Sequence, residues 1–191
     1  MTVKEEAELA IPPASTYFMV EEKEPEESHT LSVVVDNEPG VLARVIGLFT
    51  ARGYNIDQLT VSEVQHAAAV SRITIVTSGT PHIMEQIRAQ LRRLVPVHSV
   101  ADLTLEGDPI ERELALVKVK GEGEARVEAL RIADAFRARV VDAQASSFVF
   151  EITGKTRKVD QFIQLMKPLG LMEVVRTGIA AISRGPEAMK I

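Results

Sequence analysis

Apolar positions along this chain switch repeatedly between an alternating pattern and a helical one, and the switches mark its elements. Leu31-Ser32-Val33-Val34-Val35 is a β-branched run that predicts a strand over about 31–36. Val41, Leu42, Val45, Ile46, Leu48 and Phe49 then recur at helical spacing. They predict a helix near 40–52, stopped at Gly53 where a C-cap belongs. Gly53-Tyr54-Asn55 opens a predicted strand near 54–64, Gln65-His66-Ala67-Ala68 reads as a hairpin loop, and Val70, Ile73, Ile75 and Val76 predict a strand near 69–77. Ser78-Gly79-Thr80-Pro81 introduces a helix near 81–94 with Ile83, Ile87, Leu91 and Leu94 on one face, and a strand over about 96–105 follows. The order is βαββαβ.

The second half repeats that order with different residues. It predicts a strand near 113–120, a Gly121-Glu122-Gly123 turn, a helix near 124–137, strands near 139–144 and 147–153, and a helix near 155–167. A closing strand near 171–176 has a continuation near 179–183. The expected class is α+β: two ferredoxin-like βαββαβ domains, each an antiparallel sheet with helices on one face. The expected boundaries are a flexible acidic arm at 1–28, a first domain at 29–105, a linker at 106–111, a second domain at 112–185 and a tail at 186–191. The helix-free sheet faces would be open, and Val33-Val34-Val35 is apolar toward both sides, which predicts burial against a second copy.

Composition narrows the function classes. With 46% hydrophobic residues and no apolar run of membrane-spanning length, the chain reads as globular, with no membrane partner. The absence of Cys removes disulfides, thiolate nucleophiles and Cys-based metal sites, and fits an intracellular protein. The net charge of −5 is uneven: eight Glu against two Lys leave residues 1–28 at −6 and the remainder at +1. No basic stripe, no Trp and only two Tyr speak against nucleic-acid binding. His29, His66, His82 and His98 lack metal-ligand spacing and are expected at solvated or edge positions. Gly121-Glu122-Gly123 and Gly154-Lys155-Thr156 lack the glycines of dinucleotide and phosphate loops and read as turns. No nucleophile or acid–base pair stands out, so no catalytic residue is assigned.

One stretch has the makings of a ligand site. In Asp36-Asn37-Glu38-Pro39-Gly40-Val41-Leu42 a strand turns sharply into a helix. The first amides of that helix lack internal partners and converge with the positive end of the helix dipole, a setting that suits a carboxylate. Asn37 adds an amide that both donates and accepts, as an amino-acid zwitterion requires. Asp-Asn-Glu-Pro-Gly is also ordinary turn chemistry, and Asn55 after Gly53 is equally a helix-terminating residue.

Two longer matches decide between these readings. Asn37 to Phe49, with Gly40-Val41-Leu42-Ala43 inside it, and Arg52-Gly53-Tyr54-Asn55-Ile56-Asp57 closely resemble the regulatory small subunit of acetolactate synthase, also called acetohydroxyacid synthase. Glu111-Arg112-Glu113-Leu114 and Arg176-Thr177-Gly178-Ile179 continue the resemblance, which covers about residues 29–186. It implies that the first domain is an ACT domain, an amino-acid-sensing module. It further implies a noncatalytic, cytoplasmic subunit that activates a thiamine-diphosphate-dependent large subunit and confers valine feedback inhibition in branched-chain amino-acid biosynthesis. Thiamine diphosphate, Mg and FAD are expected in that partner and no cofactor in this chain. The effector would lie between two ACT domains of a homodimer, against Asn37, Gly40 and Asn55, with Val41, Leu42 and Ile56 adjacent. The alternative is a stand-alone ACT-type sensor that regulates another enzyme or a transcription factor.

Overall fold

The computed structural model describes residues 25–65 and 69–189. Its first half comprises β1 (Glu27–Asp36), α1 (Val41–Arg52), β2 (Gln58–Gln65), β3 (Val70–Gly79), α2 (Pro81–Leu91) and β4 (Val97–Asp102). Its second half comprises β5 (Ile110–Lys120), α3 (Gly123–Ala135), β6 (Arg139–Ala143), β7 (Ser147–Gly154), α4 (Thr156–Met166) and β8 (Leu171–Arg176), followed by a short β9 (Ala180–Ile182). The strand orders are β2-β3-β1-β4 and β6-β7-β5-β8, with antiparallel neighbours throughout. Both are the ferredoxin-like arrangement that the βαββαβ order predicts.

Each sheet buries one face under its own two helices. In the first unit Leu31, Val33 and Val35 of β1 meet Val45 and Phe49 of α1 and Ile87 of α2. In the second, Val117 of β5 and Phe150 of β7 meet Phe162 and Met166 of α4 and Ala129 of α3. Local signals set the helix ends. Thr80 caps α2 by accepting the Ile83 amide with Pro81 beside it, and Gly53 closes α1 in the left-handed region at φ +70°.

The described chain departs from the sequence expectation in four places. First, β2 begins at Gln58 rather than near Tyr54. Tyr54 and Ile56 alternate like strand residues, but they plug the end of the core: Tyr54 stacks edge-on against Phe49, and the Asn55 carbonyl accepts from the Thr77 hydroxyl at 2.6 Å. Second, β1 starts at Glu27, so two residues assigned to the acidic arm are strand; residues 1–24 of that arm lie outside the described residues, as does the hairpin tip at 66–68. Third, the last two residues of the expected linker are strand. Ile110–Arg112 of β5 pair with β9, while Glu113–Lys120 pair with β7 and β8, so one extended strand carries the linker's end into the second sheet. Fourth, His29 is not at a solvated edge: it is 4% exposed, with Nδ1 2.9 Å from the carboxylate of buried Asp102.

The helix-free face of the first sheet is also not open, as the apolar run had suggested. After β8 the chain crosses it, and Ile179 and Ala181 join Val76, Ala101 and Leu103 in a third buried cluster. The apolar outward side chains of the first sheet are thus partly covered from within the same chain.

Candidate functional site

The corner after β1 is pinned by backbone bonds on both sides. The Asp36 amide donates to Pro96 O at 2.9 Å and the Asn37 amide to Ala69 O at 2.6 Å. Gly40 then takes φ +88° and ψ −10°, a left-handed conformation that makes the sharp turn into α1 and that a side chain disfavours. No side chain caps the helix. The Val41 amide makes a long turn bond to Glu38 O at 3.3 Å, and the first intrahelical bond is Arg44 N–H to Gly40 O at 3.1 Å. The amides of Leu42 and Ala43 therefore have no acceptor within the helix. A Cβ built on Gly40 would meet nothing within 4 Å, so the corner itself is open beside Gly40. Asn37 and Leu42 are exposed there, whereas the Val41 side chain is in the core and offers only its backbone to a ligand.

Asn55 and Ile56 occupy the loop between α1 and β2. The Asn55 side-chain amide donates to Asp57 Oδ1 at 2.6 Å, which leaves the side-chain oxygen of this exposed residue as an acceptor without a partner among the described residues. Asp57 is itself held by the Ser78 hydroxyl at 2.9 Å. Neither Asp57 nor Thr77 stands out in the sequence as part of a site. Their only signal is a polar residue two positions after Asn55 and another at the end of a strand.

The two groups of residues are not together in one chain. Asp36 pairs with Val70 at one end of β3, while the Asn55 carbonyl is bound by Thr77 near the other. Seven strand residues at roughly 3.3 Å each put about 23 Å between these levels. One chain therefore separates two candidate half-sites: a corner of unpaired helix amides at Asn37 to Leu42, and an acceptor loop at Asn55 and Ile56.

Comparison with known proteins interprets this division. The description "AHAS small subunit-like ACT domain" matches residues 31–99, and "Small subunit of acetolactate synthase" matches residues 112–185. The chain belongs to the acetolactate synthase small-subunit family. It is 44% identical over 157 residues to the probable acetolactate synthase small subunit of Archaeoglobus fulgidus, covering 82% of this chain and 97% of that one. It is 40% identical over 161 residues to the acetolactate synthase isozyme 3 small subunit of Escherichia coli, covering 84% and 98%. The crystal structure of the acetolactate synthase small subunit of Thermotoga maritima superposes with a TM-score of 0.77 at 36% identity, covering 84% of this chain and 99% of that one. The first unit is thus an ACT domain, and the acetolactate synthase family places the chain among regulatory subunits of branched-chain amino-acid synthesis.

The second domain reaches the start of β2, the strand that follows the acceptor loop. At the end of β8, Arg176 forms a fork on Glu113, a carboxylate whose side chain is only 1% exposed. Nη2 donates to Oε2 at 2.7 Å, Nε donates to Oε1, and Nη1 donates to Asp160 Oδ1 at 2.8 Å. The hydrogen bond to Glu113 raises the Arg176 pKa against the lowering effect of burial, and the charges of Glu113 and Asp160 act in the same direction. Immediately after this anchor, Thr177-Gly178-Ile179 lies across the start of β2. The Ile179 amide donates to Gln58 Oε1 at 3.1 Å, and the Thr60 hydroxyl donates to Thr177 O at 3.4 Å. Gly178 has φ +80°, and a Cβ there would come within 2.7 Å of Thr60 Oγ1. The sequence pattern gives Thr177 and Gly178 no element and places Ile179 at the start of a strand continuation, although Arg176-Thr177-Gly178-Ile179 carries part of the family resemblance.

Proposed function

We propose that two chains associate through their ACT domains so that the Gly40 corner of one meets the Asn55 loop of the other, and that each composite site binds valine. The effector's carboxylate would accept from the amides at the start of α1, its ammonium would donate to the side-chain oxygen of Asn55 and to Asn37, and its isopropyl group would contact Leu42 and Ile56. The single observation that carries this reading is the placement of the two half-sites at opposite ends of the sheet. β2 is the edge strand next to the Asn55 loop, with Val61 46% and Val64 42% exposed. A two-fold axis that pairs two β2 edges antiparallel sets the start of one beside the end of the other, which brings unlike half-sites together twice.

In this reading the chain is a noncatalytic, cytoplasmic subunit. It activates the catalytic large subunit, which carries the thiamine diphosphate, Mg and FAD. Valine, by favouring one state of the assembly over the other, inhibits with a coupling of about 1–3 kcal/mol. The test is reconstitution of the full chain with the large subunit and titration with valine. Gly40→Asp puts a negative charge and a side chain where the carboxylate docks; inhibition should be lost and activation kept. Asn37→Ala and Asn55→Ala should each weaken valine binding by roughly 0.5–3 kcal/mol. Unchanged inhibition in Gly40→Asp, or wild-type calorimetric affinity in both Asn variants, refutes the site. Absence of any activation of the large subunit would instead favour a stand-alone sensor.

A further inference from the structure

A surface on the second domain lies outside both half-sites and begins at Thr156, beside the cleft between the domains. Between the end of α3 and the length of α4 lies a groove of about 840 Å³, walled by Phe136, Thr156, Arg157, Asp160, Gln161, Gln164 and Leu165, its one carboxylate, Asp160, already paired with Arg176. Leu165 is 44% exposed there. It runs into a second depression of about 470 Å³ that shares Arg157 and Gln161 and adds Arg112, Lys155 and Lys158. Four cations thus line one pocket without a carboxylate among its walls. Lys155 makes only a long contact to Asp108 at 3.6 Å, Lys158 donates to the Thr153 carbonyl, and Arg157 has no ion-pair partner among the described residues. The adjoining end of α4 has no side-chain cap, which adds to the positive potential. This is a receptor for a segment that is apolar at one end and acidic at the other.

The chain contains one such segment. Tyr17-Phe18-Met19-Val20 is followed by Glu21-Glu22-Lys23-Glu24, three carboxylates against one cation, all outside the described residues. Its tether emerges at the right place: Ser28, next to the start of β1, and Thr156, at the start of α4, line one cleft of about 530 Å³. Going back from Pro25, the glutamates precede the apolar tetrad, the same order in which the cationic pocket and the groove follow along α4 from its start. The eight residues from Pro25 to Tyr17 span up to about 26 Å; the helix from Thr156 to Leu165 takes about 14 Å of that and leaves about 12 Å to bridge from Pro25 to Thr156. A tether this short gives an effective concentration of the order of millimolar, so a weak contact is occupied. We infer that the chain's own Tyr17–Glu24 segment docks along α4, its aromatic end in the Phe136–Leu165 groove and its glutamates on Arg112, Lys155, Arg157 and Lys158.

The absence of Cys allows a clean test on the full chain. Ser15→Cys carrying a nitroxide, in isotope-labelled protein, should reduce the amide signals of Arg157, Gln161 and Leu165 at least twofold while leaving α1 unaffected. The effect should shrink at least twofold in about 1 M salt, where charge pairs are screened. It should also shrink in Arg157→Glu, in Leu165→Glu and in the triple charge reversal E21K/E22K/E24K. Signals of α4 that stay unchanged at low salt overturn the proposal. So does broadening seen only when spin-labelled chains are mixed with isotope-labelled, unlabelled-spin chains, which would assign the groove to a second copy's arm. Broadening that persists undiminished in Arg157→Glu and Leu165→Glu would likewise place the segment elsewhere.

Discussion

Replacing Arg176 by Met tests how the second domain is anchored beside the acceptor loop. The substitution removes both guanidinium bonds from Glu113 and leaves that carboxylate, 1% exposed, without its cation. Losing one partner of a buried pair costs about 3–5 kcal/mol when both are enclosed. The Arg176 side chain is 32% exposed and Asp160 is half open, so water reaches part of the site and the lower end, about 3 kcal/mol, applies. For a cooperative unit of this size the expected fall in Tm is roughly 6–12 °C, read by circular dichroism on heating. The double variant E113L/R176M removes the orphaned charge and should recover most of that loss, because a buried pair exchanged for apolar residues is often close to neutral. A base whose folded pKa is raised keeps its full stabilising contribution below its ordinary value and loses it only as pH climbs through the raised one. The deficit of Arg176→Met should therefore stay level between about pH 6 and pH 9. Because Thr177–Ile179 follows directly, valine inhibition in the reconstituted enzyme should weaken while activation persists. A Tm within about 1 °C of the unmodified chain, or a double variant no better than the single one, would refute this account.

Other positions give independent checks. Gly178→Ala combines a positive φ with a Cβ within 2.7 Å of Thr60 Oγ1, so it should destabilise by about 1–2 kcal/mol from backbone strain alone and weaken the hold of Thr177–Ile179 on β2; an unaltered Tm and hydrogen-exchange rate at Gln58–Thr60 would count against that contact. His29→Ala leaves Asp102 buried without its partner and should cost about 1–3 kcal/mol, measured by urea unfolding; a neutral result would mean the carboxylate finds another donor. A chain ended at Gly107 loses Ile179 and Ala181 and so uncovers Val76, Ala101 and Leu103. It should still activate the large subunit but respond less to valine and associate more readily. Full inhibition by that shortened chain would show that the second domain is dispensable for regulation.

Much of the architecture was legible because it is local. The period changes at Val35, Phe49, Ile75 and Leu91 located both helices and the paired strands of the first unit, and the corner at Asn37–Gly40 announced itself through turn chemistry followed at once by a helical stripe. The errors came where a local pattern served a nonlocal purpose. Tyr54 and Ile56 alternate as a strand would, yet their side chains close the core end while Asn55 and Asp57 turn outward. His29 gave no sign of burial because its partner, Asp102, is far along the chain.

The sequence by itself therefore determined the two ferredoxin-like units, their helix faces and the sharp corner at Asn37–Gly40, since periodicity and turn propensity act over a few neighbouring residues. Only the tertiary structure decided that Asn37 and Asn55 stand at opposite ends of a sheet, and that Gly178 lies on Thr60. It also decided that the outer face of the first sheet is covered by Ile179 and Ala181. Those outcomes depend on strand register and on contacts between residues more than a hundred positions apart, which chain packing selects and no local pattern encodes.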